Sequence, residues 1–203
     1  MGTRHLIAVQ KDGEYKVAQY GQWDGYPEGQ GVRVLEFLRN TDIELFKKRL
    51  SNVRFFDETK DRDFIDSYNK NAPGWSSDPD NRTEEQKRWH SLFQSRDLGA
   101  KILTNIANSG DDDILLKNAI SFAADSLFCE FAYVIDFDKN TFEVFRGFNK
   151  DELGSDERFA SLAIPRDGGE YRQVKHVKTF KLSNLPTKED FLNEFNNEEE
   201  ETE

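Results

Sequence analysis

The chain has 203 residues, of which 36% are hydrophobic and 33% charged, and its formal net charge at pH 7 is -11. This length suits one domain, and the 13% of aromatic residues exclude a disordered chain. The negative charge argues against general binding to nucleic-acid phosphates, and no apolar run is long enough to cross a membrane.

The first predicted element is a β-hairpin. Strand-like runs at 5–10 and 15–20 flank the pair Asp12-Gly13, and an Asp-Gly pair between such runs is a strong hairpin signal. The second strand leads into 21–31, a segment with four glycines, one proline, a tryptophan and a tyrosine. This composition predicts a loop with defined contacts rather than a flexible linker.

Helices are predicted between this hairpin and a second one. Helical spacing indicates a helix from Val32, another from Ile43 after a capping box at Thr41, and a third from a capping box at Thr83. The polar stretch 57–82 is predicted to be an irregular excursion. The apolar spacing also predicts helices over 98–107 and over 115–127, with Trp89, Leu92 and Phe93 facing inward in the helix before them.

The second hairpin is predicted around Asp138-Lys139-Asn140. Alternation places Phe131, Tyr133 and Ile135 on one face, and the predicted 115–127 helix is expected to cover that face with Leu116, Ile120 and Ala123. A strand over 171–182 follows, and then a short helix from Pro186 that carries Phe191 and Phe195.

The order of elements predicts an α+β fold with a largely antiparallel sheet. Residues 1–195 form a single predicted domain. Residues 196–203 include five glutamates and no apolar side chain, so they are predicted to be a disordered acidic tail that does not pack.

No metal or cofactor site is predicted. The run Asp136-x-Asp138-x-Asn140 matches the start of a calcium loop, but Thr141 stands where that loop needs glycine, so a hairpin turn is the better interpretation. The three histidines lie on separate predicted elements, and no two have metal-ligand spacing: His5, His90 and His176.

Two further features have plain structural interpretations. Cys129 is the only cysteine, which predicts an inert core thiol and a reducing, cytoplasmic location. The stretch 172–181 is locally basic. It suits an anionic ligand, but a solvated edge strand decorated with lysine is the favoured interpretation.

The candidate ligand-binding residues surround the end of the first hairpin. Antiparallel pairing places the start of the first strand beside the end of the second, so the glycine-aromatic loop emerges next to Arg4. A pair between Arg4 and Asp24 is expected to orient a polar ligand while an aromatic ring stacks on it. The predicted site comprises Arg4, His5, Tyr20, Gln22, Trp23, Asp24 and Tyr26. The alternative is that the aromatics only plug the end of the sheet.

Two sequence resemblances bear on function. Gly-Thr-Arg-His-Leu-Ile at 2–7 and Tyr-Gly-Gln-Trp-Asp-Gly-Tyr-Pro-Glu-Gly-Gln-Gly at 20–31 resemble an uncharacterised family of phages, bacteria and fungi. That resemblance covers the first forty residues well, and it implies a phage-encoded protein acting in the host cytoplasm.

The opening hairpin is also similar in pattern to the N-terminal-nucleophile hydrolases of the proteasome type. This resemblance implies a four-layer αββα sandwich and an amide hydrolase whose Gly2-Thr3 matches the junction where the propeptides of that family are cut. The sequence departs from the family because Arg4 falls at the nucleophile position, and Tyr20 and Glu36 fall near its catalytic Asp and Lys.

The leading functional hypothesis is a binding protein that engages a small ligand, or a host protein of basic character, through the glycine-aromatic loop. Such a protein would counter a host system if it is phage-encoded. The alternative is an amide hydrolase of the N-terminal-nucleophile type or a decayed relative of one.

Overall fold

The computed structural model describes residues 2–57, 59–63, 66, 83–84, 87, 98–111, 113–165 and 169–196. Four helices lie wholly within these ranges: α1 (Val32–Asn40), α2 (Ile43–Leu50), α3 (Lys101–Ala107) and α4 (Lys188–Asn196). The strands of the same ranges are β1 (His5–Lys11), β2 (Glu14–Gly21), β3 (Val53–Phe55), β4 (Ile114–Leu116), β5 (Phe131–Asp136), β6 (Thr141–Arg146) and β7 (Lys175–Lys181). A π-helical turn at Pro27–Gly31 precedes α1, and 3-10 turns lie at Ile120–Ala124 and Leu182–Asn184.

Five strands form one sheet in the order β2-β1-β5-β6-β7. Its pairs are antiparallel except β1 with β5, which are parallel. This confirms the predicted α+β class and largely antiparallel sheet. A four-layer sandwich needs a second large sheet, and in the part of the chain that the structure describes the second sheet is only the parallel pair of β3 and β4.

Both predicted hairpins are present, and their turns lie at the same end of the sheet, which we call the turn end. Asp12 and Gly13 have φ values of 57° and 76° in the first turn, and Asn140 has 57° in the second. These residue types adopt positive φ at low cost. The Asp138 carboxylate accepts hydrogen bonds from the amides of Asp12 and Gly13 at 2.8 and 2.9 Å, so it ties the two turns together.

The sheet is covered on both faces. All four helices pack on one face, where the fully buried side chains include Ile7, Leu35, Phe46, Ile102, Tyr133, Ile135, Phe142 and Phe191. Each such side chain contributes about 1.5–3 kcal/mol by leaving water. The other face is covered by irregular segments, and its core includes Leu6, Ala8, Ala123, Cys129, Val134, Phe145, Phe159 and Val174. No described helix is both long and apolar enough to cross a membrane.

The predicted helix over 115–127 is wrong. Ile114–Leu116 forms β4, and the next regular segment is the 3-10 turn at Ile120–Ala124. The Asn118 side chain accepts a hydrogen bond from the Ile120 amide at 3.0 Å, a local bond that competes with helix formation. The expected cover of the second hairpin holds only for Leu116, which lies in the same core as Ile135, whereas Ile120 and Ala123 pack on the opposite face of the sheet.

Other boundaries shift by smaller amounts. The N-cap of α2 is Asp42 rather than Thr41, and its carboxylate accepts from the Leu45 amide at 3.0 Å. The last strand begins at Lys175 rather than 171. It is an edge strand with exposed lysines, as the basic stretch predicts. The predicted inward-facing side chains of 89–93 and the acidic residues after Asn196 lie outside the described residues.

Candidate functional site

Four loops meet at the end of the sheet opposite the turns, which we call the open end. His5 pairs with Gly21 on one side and with Phe131 on the other, and Phe131 pairs with Arg146. The residues before β1, after β2, before β5 and after β6 therefore lie side by side. The sequence predicts the first two of these neighbours, and the parallel pairing of β1 with β5 adds the other two.

The loop after β2 is held against the sheet by its backbone. The Gly25 amide donates to the Thr3 carbonyl at 3.0 Å, and the Tyr133 hydroxyl donates to the Gly25 carbonyl at 2.8 Å. A Cβ on Gly25 would lie 2.7 Å from the Thr3 oxygen, so only glycine allows this approach. The buried Gln30 side chain accepts from the Ala100 amide at 2.8 Å and therefore serves the loop rather than a ligand.

The two aromatic residues of this loop are exposed, as a binding surface requires. The exposed fraction is 48% for Trp23 and 45% for Tyr26. The Trp23 ring lies where a side chain on Gly2 would have to go, 2.1 Å from the Cβ position. The ring thus presents one side to Gly2 while nearly half of the residue stays open to solvent.

Arg4 and Asp24 do not pair with each other, which corrects the expected ion pair. The Arg4 guanidinium lies over the Phe128 ring, 4.6 Å from its centroid, and the Arg4 amide donates to Glu130 Oε1 at 3.1 Å. Asp24 instead faces Arg33, with Oδ2 3.9 Å from the guanidinium. The carboxylate of Asp24 therefore lies toward α1, which carries Arg33.

His5 lies beneath the open end rather than on its surface. The residue is 1% exposed, and a Cβ on Gly21 would lie 2.1 Å from its Nε2 atom. Within the described residues, neither ring nitrogen makes a hydrogen bond of normal geometry. Burial disfavours the imidazolium and lowers the pKa of His5 to about 4, so the ring is neutral at physiological pH.

Tyr20 and Gln22 lie toward the face of the sheet that irregular segments cover, opposite the helices. The Tyr20 hydroxyl donates to Gln22 Oε1 at 2.6 Å, and its ring meets Phe122 edge-on with centroids 4.9 Å apart. Tyr20 lines a cavity of about 500 Å³ there, together with Ala18, Gln19, Lys117, Asn118, Ala119, Ser121, Phe122, Asp125, Ala163 and Pro165. The predicted site is thus divided: Arg4, Trp23, Asp24 and Tyr26 lie at the open end, and Tyr20 belongs to a different cavity.

A second cavity, of about 250 Å³, lies at the open end itself. Its wall contains four aromatic rings, two carboxylates and one guanidinium: Tyr26, Phe131, Phe148, Phe195, Glu28, Glu130 and Arg146. Thr3, Pro27, Val144 and Val177 complete it. The sequence analysis found only Tyr26 among these rings, because the parallel pairing of β1 with β5 that brings the second hairpin to this end leaves no local signal.

Two αL residues flank this cavity. Phe148 has a φ of 55° and is 52% exposed, which is unusual for a bulky side chain because its Cβ crowds the backbone in this region. Asp24 also has a positive φ of 57°, but aspartate tolerates this conformation, so the unusual residue is Phe148. Strain of this kind persists where the surrounding structure imposes it, and it is concentrated at functional sites.

The remaining candidates are structural. Asp136, which begins the calcium-like run, is fully buried, accepts from the amides of Asp138 and Lys139, and pairs with Arg158. Within the described ranges, no group of three metal-binding side chains is present. Cys129 is buried, which confirms the predicted core position, and this burial raises the pKa of the thiol well above the ordinary value.

Comparison of the chain with protein families, with curated proteins and with solved structures gives no match. The functional argument therefore rests on the geometry of the open end.

Proposed function

We propose that the chain is a binding protein that engages a small ligand or a partner protein through the open end. One observation carries the proposal. Five large hydrophobic side chains are exposed in the described part of the chain, and four of them belong to the loops of this one end: Trp23, Tyr26, Phe128 and Phe148. The fifth, Leu45, lies on α2.

The clustering of these four side chains at one end of the sheet is stronger evidence for a binding surface than the exposure of any one of them. Single exposed hydrophobic residues are normal on protein surfaces, but contiguous aromatic patches mark sites of interaction. Aromatic residues are also the type enriched at the centre of protein interfaces. In addition, the loop after β6 holds Phe148 in a backbone conformation that bulky residues rarely adopt. Both features cost stability, and binding offsets that cost.

The larger cavity at Tyr20 is the competing location. Its two aromatic rings, Tyr20 and Phe122, already contact each other at 4.9 Å, and the Tyr20 hydroxyl is engaged by Gln22. At the open end, in contrast, Tyr26 and Phe148 are each about half exposed. The open end therefore offers more unburied aromatic surface to a ligand.

Chemical-shift mapping of the labelled protein with a mixture of small aromatic and polar fragments tests the proposal. We expect saturable shifts at the amides of 21–31, 128–131 and 146–149. Phe148→Ala should weaken these interactions about threefold or more, since one aromatic contact is lost. The matched control is Leu45→Ala, which removes an exposed hydrophobic residue elsewhere and should leave the shifts unchanged. Shifts confined to the amides around Tyr20 and Phe122, or no saturable shifts, would contradict the proposal.

The cellular part of the proposal rests on the sequence. The single cysteine supports a cytoplasmic location, and the resemblance of 2–7 and 20–31 to a phage-containing family supports a role against a host system. The open end would then be the surface that meets the host component.

The hydrolase alternative is supported by one observation: Thr3 lies in the wall of the open-end cavity and is 7% exposed. Removal of Met1 and Gly2 would give Thr3 a free amine next to its hydroxyl, the arrangement that an N-terminal nucleophile needs. The intact mass of the purified protein tests this. A mass that retains both residues rules out Thr3 as an active N-terminal nucleophile.

A further inference from the structure

The open end already uses aromatic rings to hold the chain's own cations. The Arg4 guanidinium lies 4.6 Å from the Phe128 ring centroid, and Lys150 Nζ lies 5.3 Å from that of Tyr171. Tyr171 in turn meets Phe148 edge-on, with centroids 6.3 Å apart. A cation over an aromatic face is attracted by the negative charge of the π-system.

The rings inside the cavity hold no such cation among the described residues. Tyr26 and Phe148 face the cavity from opposite loops, and Phe131 and Phe195 close it from the sheet and from α4. Several aromatic rings around one small space form the arrangement that binds ammonium and guanidinium groups. The lining therefore has the composition of an aromatic cage.

The charges of the wall favour the same kind of ligand. Glu28 is exposed, and within the part of the chain that is described its carboxylate makes no hydrogen bond or ion pair. Glu130 gives a second carboxylate, with Oε1 accepting from the Arg4 amide. Arg146 is the single basic side chain of the lining, so carboxylates outnumber it by two to one. The net charge of -11 attracts basic partners to the whole molecule.

The size of the cavity limits what enters it. Its volume of about 250 Å³ lies below the roughly 300–1,000 Å³ of pockets that bind drug-sized ligands. One extended side chain fits such a space better than a cofactor does. Trp23 and Phe128 are exposed on neighbouring loops of the same end of the sheet, so aromatic surface is also available to the remainder of a partner.

We infer that the cavity between Tyr26 and Phe148 receives the arginine or lysine side chain of a basic partner protein. This inference rests on the proposed function and names the partner chemistry of the same site. The cation lies against the rings and faces Glu28, while the aromatic surface around the mouth covers the adjoining backbone of the partner.

Titration with Nα-acetyl-arginine methylamide, followed by amide chemical shifts, tests the inference. The uncharged citrulline analogue has nearly the same shape and is the control ligand. We expect the arginine compound to shift the amides of 26–28, 130–131 and 146–148 and to bind about two- to fivefold more tightly than the citrulline compound. The difference should shrink at high salt.

Three variants locate the effect. Glu28→Gln should weaken arginine binding and leave citrulline binding unchanged, whereas Arg146→Gln should strengthen arginine binding by removing the like charge. Glu36→Gln is the matched control, because it makes the same change in net charge at an exposed site on α1. An equal effect of Glu28→Gln and Glu36→Gln would show that only the net charge acts, and would overturn the inference.

The two proposals fail separately. If aromatic and polar fragments bind the open end but the arginine and citrulline compounds bind equally, the partner chemistry is wrong and the binding function stands. If neither the fragments nor the arginine compound shift these amides, both are wrong.

Discussion

The two ends of the sheet are built differently. At the turn end, positive φ values fall on Asp12, Gly13 and Asn140, which tolerate them, and the Asp138 carboxylate satisfies two turn amides. At the open end, positive φ falls on Phe148, which does not tolerate it well. At the turn end, the backbone conformations thus agree with the preferences of the residue types that adopt them. At the open end they do not, at the place where exposed aromatic residues lie.

The buried polar groups show the same contrast. Near the turn end, the Arg158 guanidinium pairs with the buried Asp136 and with Glu143, and it also donates to Gln10 and Tyr15. Near the open end, neither nitrogen of the buried His5 ring makes a hydrogen bond of normal geometry with the described residues. Satisfied polar networks support stability, whereas unpartnered ones cost it. The comparison indicates that the turn end stabilises the fold, whereas the open end contains features that cost stability and that the proposed binding function would explain.

The substitution with the largest expected effect on stability removes the charge network near the turn end. Arg158→Met leaves the two carboxylates close together, buried and without their cation. We expect the free energy of unfolding to fall by about 3–5 kcal/mol, as it does when one partner of a buried pair is removed. Urea denaturation at pH 7 measures the change.

Lys175→Met is the control for this variant. Lys175 Nζ lies 2.7 Å from Asp151 Oδ2, but both side chains are exposed, so solvent screens the pair. Its loss should change the stability far less. A similar small effect of Arg158→Met would show that the network does not hold the turn end together.

The second test uses the buried histidine of the open end. His5 has a pKa of about 4 in the folded protein and about 6.5 when unfolded. Between these values the unfolded state binds the proton and the folded state does not, so stability is full above pH 6.5 and falls as the pH drops toward 4. The loss is about 3 kcal/mol over this interval.

His5→Leu should flatten the pH dependence between pH 4 and 6.5, whatever its effect on stability at pH 7. The comparison is with His176→Leu, which removes an exposed histidine on β7 and should preserve the slope. The aspartates with lowered pKa values, such as Asp61 next to Arg54, act below this range. A wild-type protein with no loss of stability in the interval would mean that His5 is accessible to water.

Local signals predicted the turn end better than the open end. The Asp-Gly pair and the alternation of apolar residues specify each hairpin within about fifteen residues, and the register then places Arg4 beside the loop after β2. The parallel pairing of β1 with β5 joins segments far apart in the chain, and no local pattern reports it. Phe128 and Phe148 were missed for this reason.

The same limitation explains the segment 115–127. Its apolar residues recur at helical spacing, but Ile114–Leu116 pairs with β3 and the next turn packs on the opposite face of the sheet. Tertiary pairing therefore overrides the local periodicity there. The burial of His5 could not be predicted from the sequence either, because it depends on the absence of side chains at Gly21 and Gly25.

The prediction with the smallest expected effect on stability concerns backbone strain at Phe148. At an ordinary position alanine is more stable than glycine by about 0.5–1 kcal/mol, because glycine loses more backbone entropy on folding. At a φ of 55° the order should reverse, since any Cβ costs about 1–2 kcal/mol in the left-handed region. We expect Phe148→Gly to be more stable than Phe148→Ala by about 1 kcal/mol in urea denaturation. The same two substitutions at Phe128, which has no positive φ, should show the ordinary order. If alanine is the more stable residue at both positions, Phe148 carries no strain, and the contrast between the two ends reduces to their exposed aromatic surface and buried polar groups.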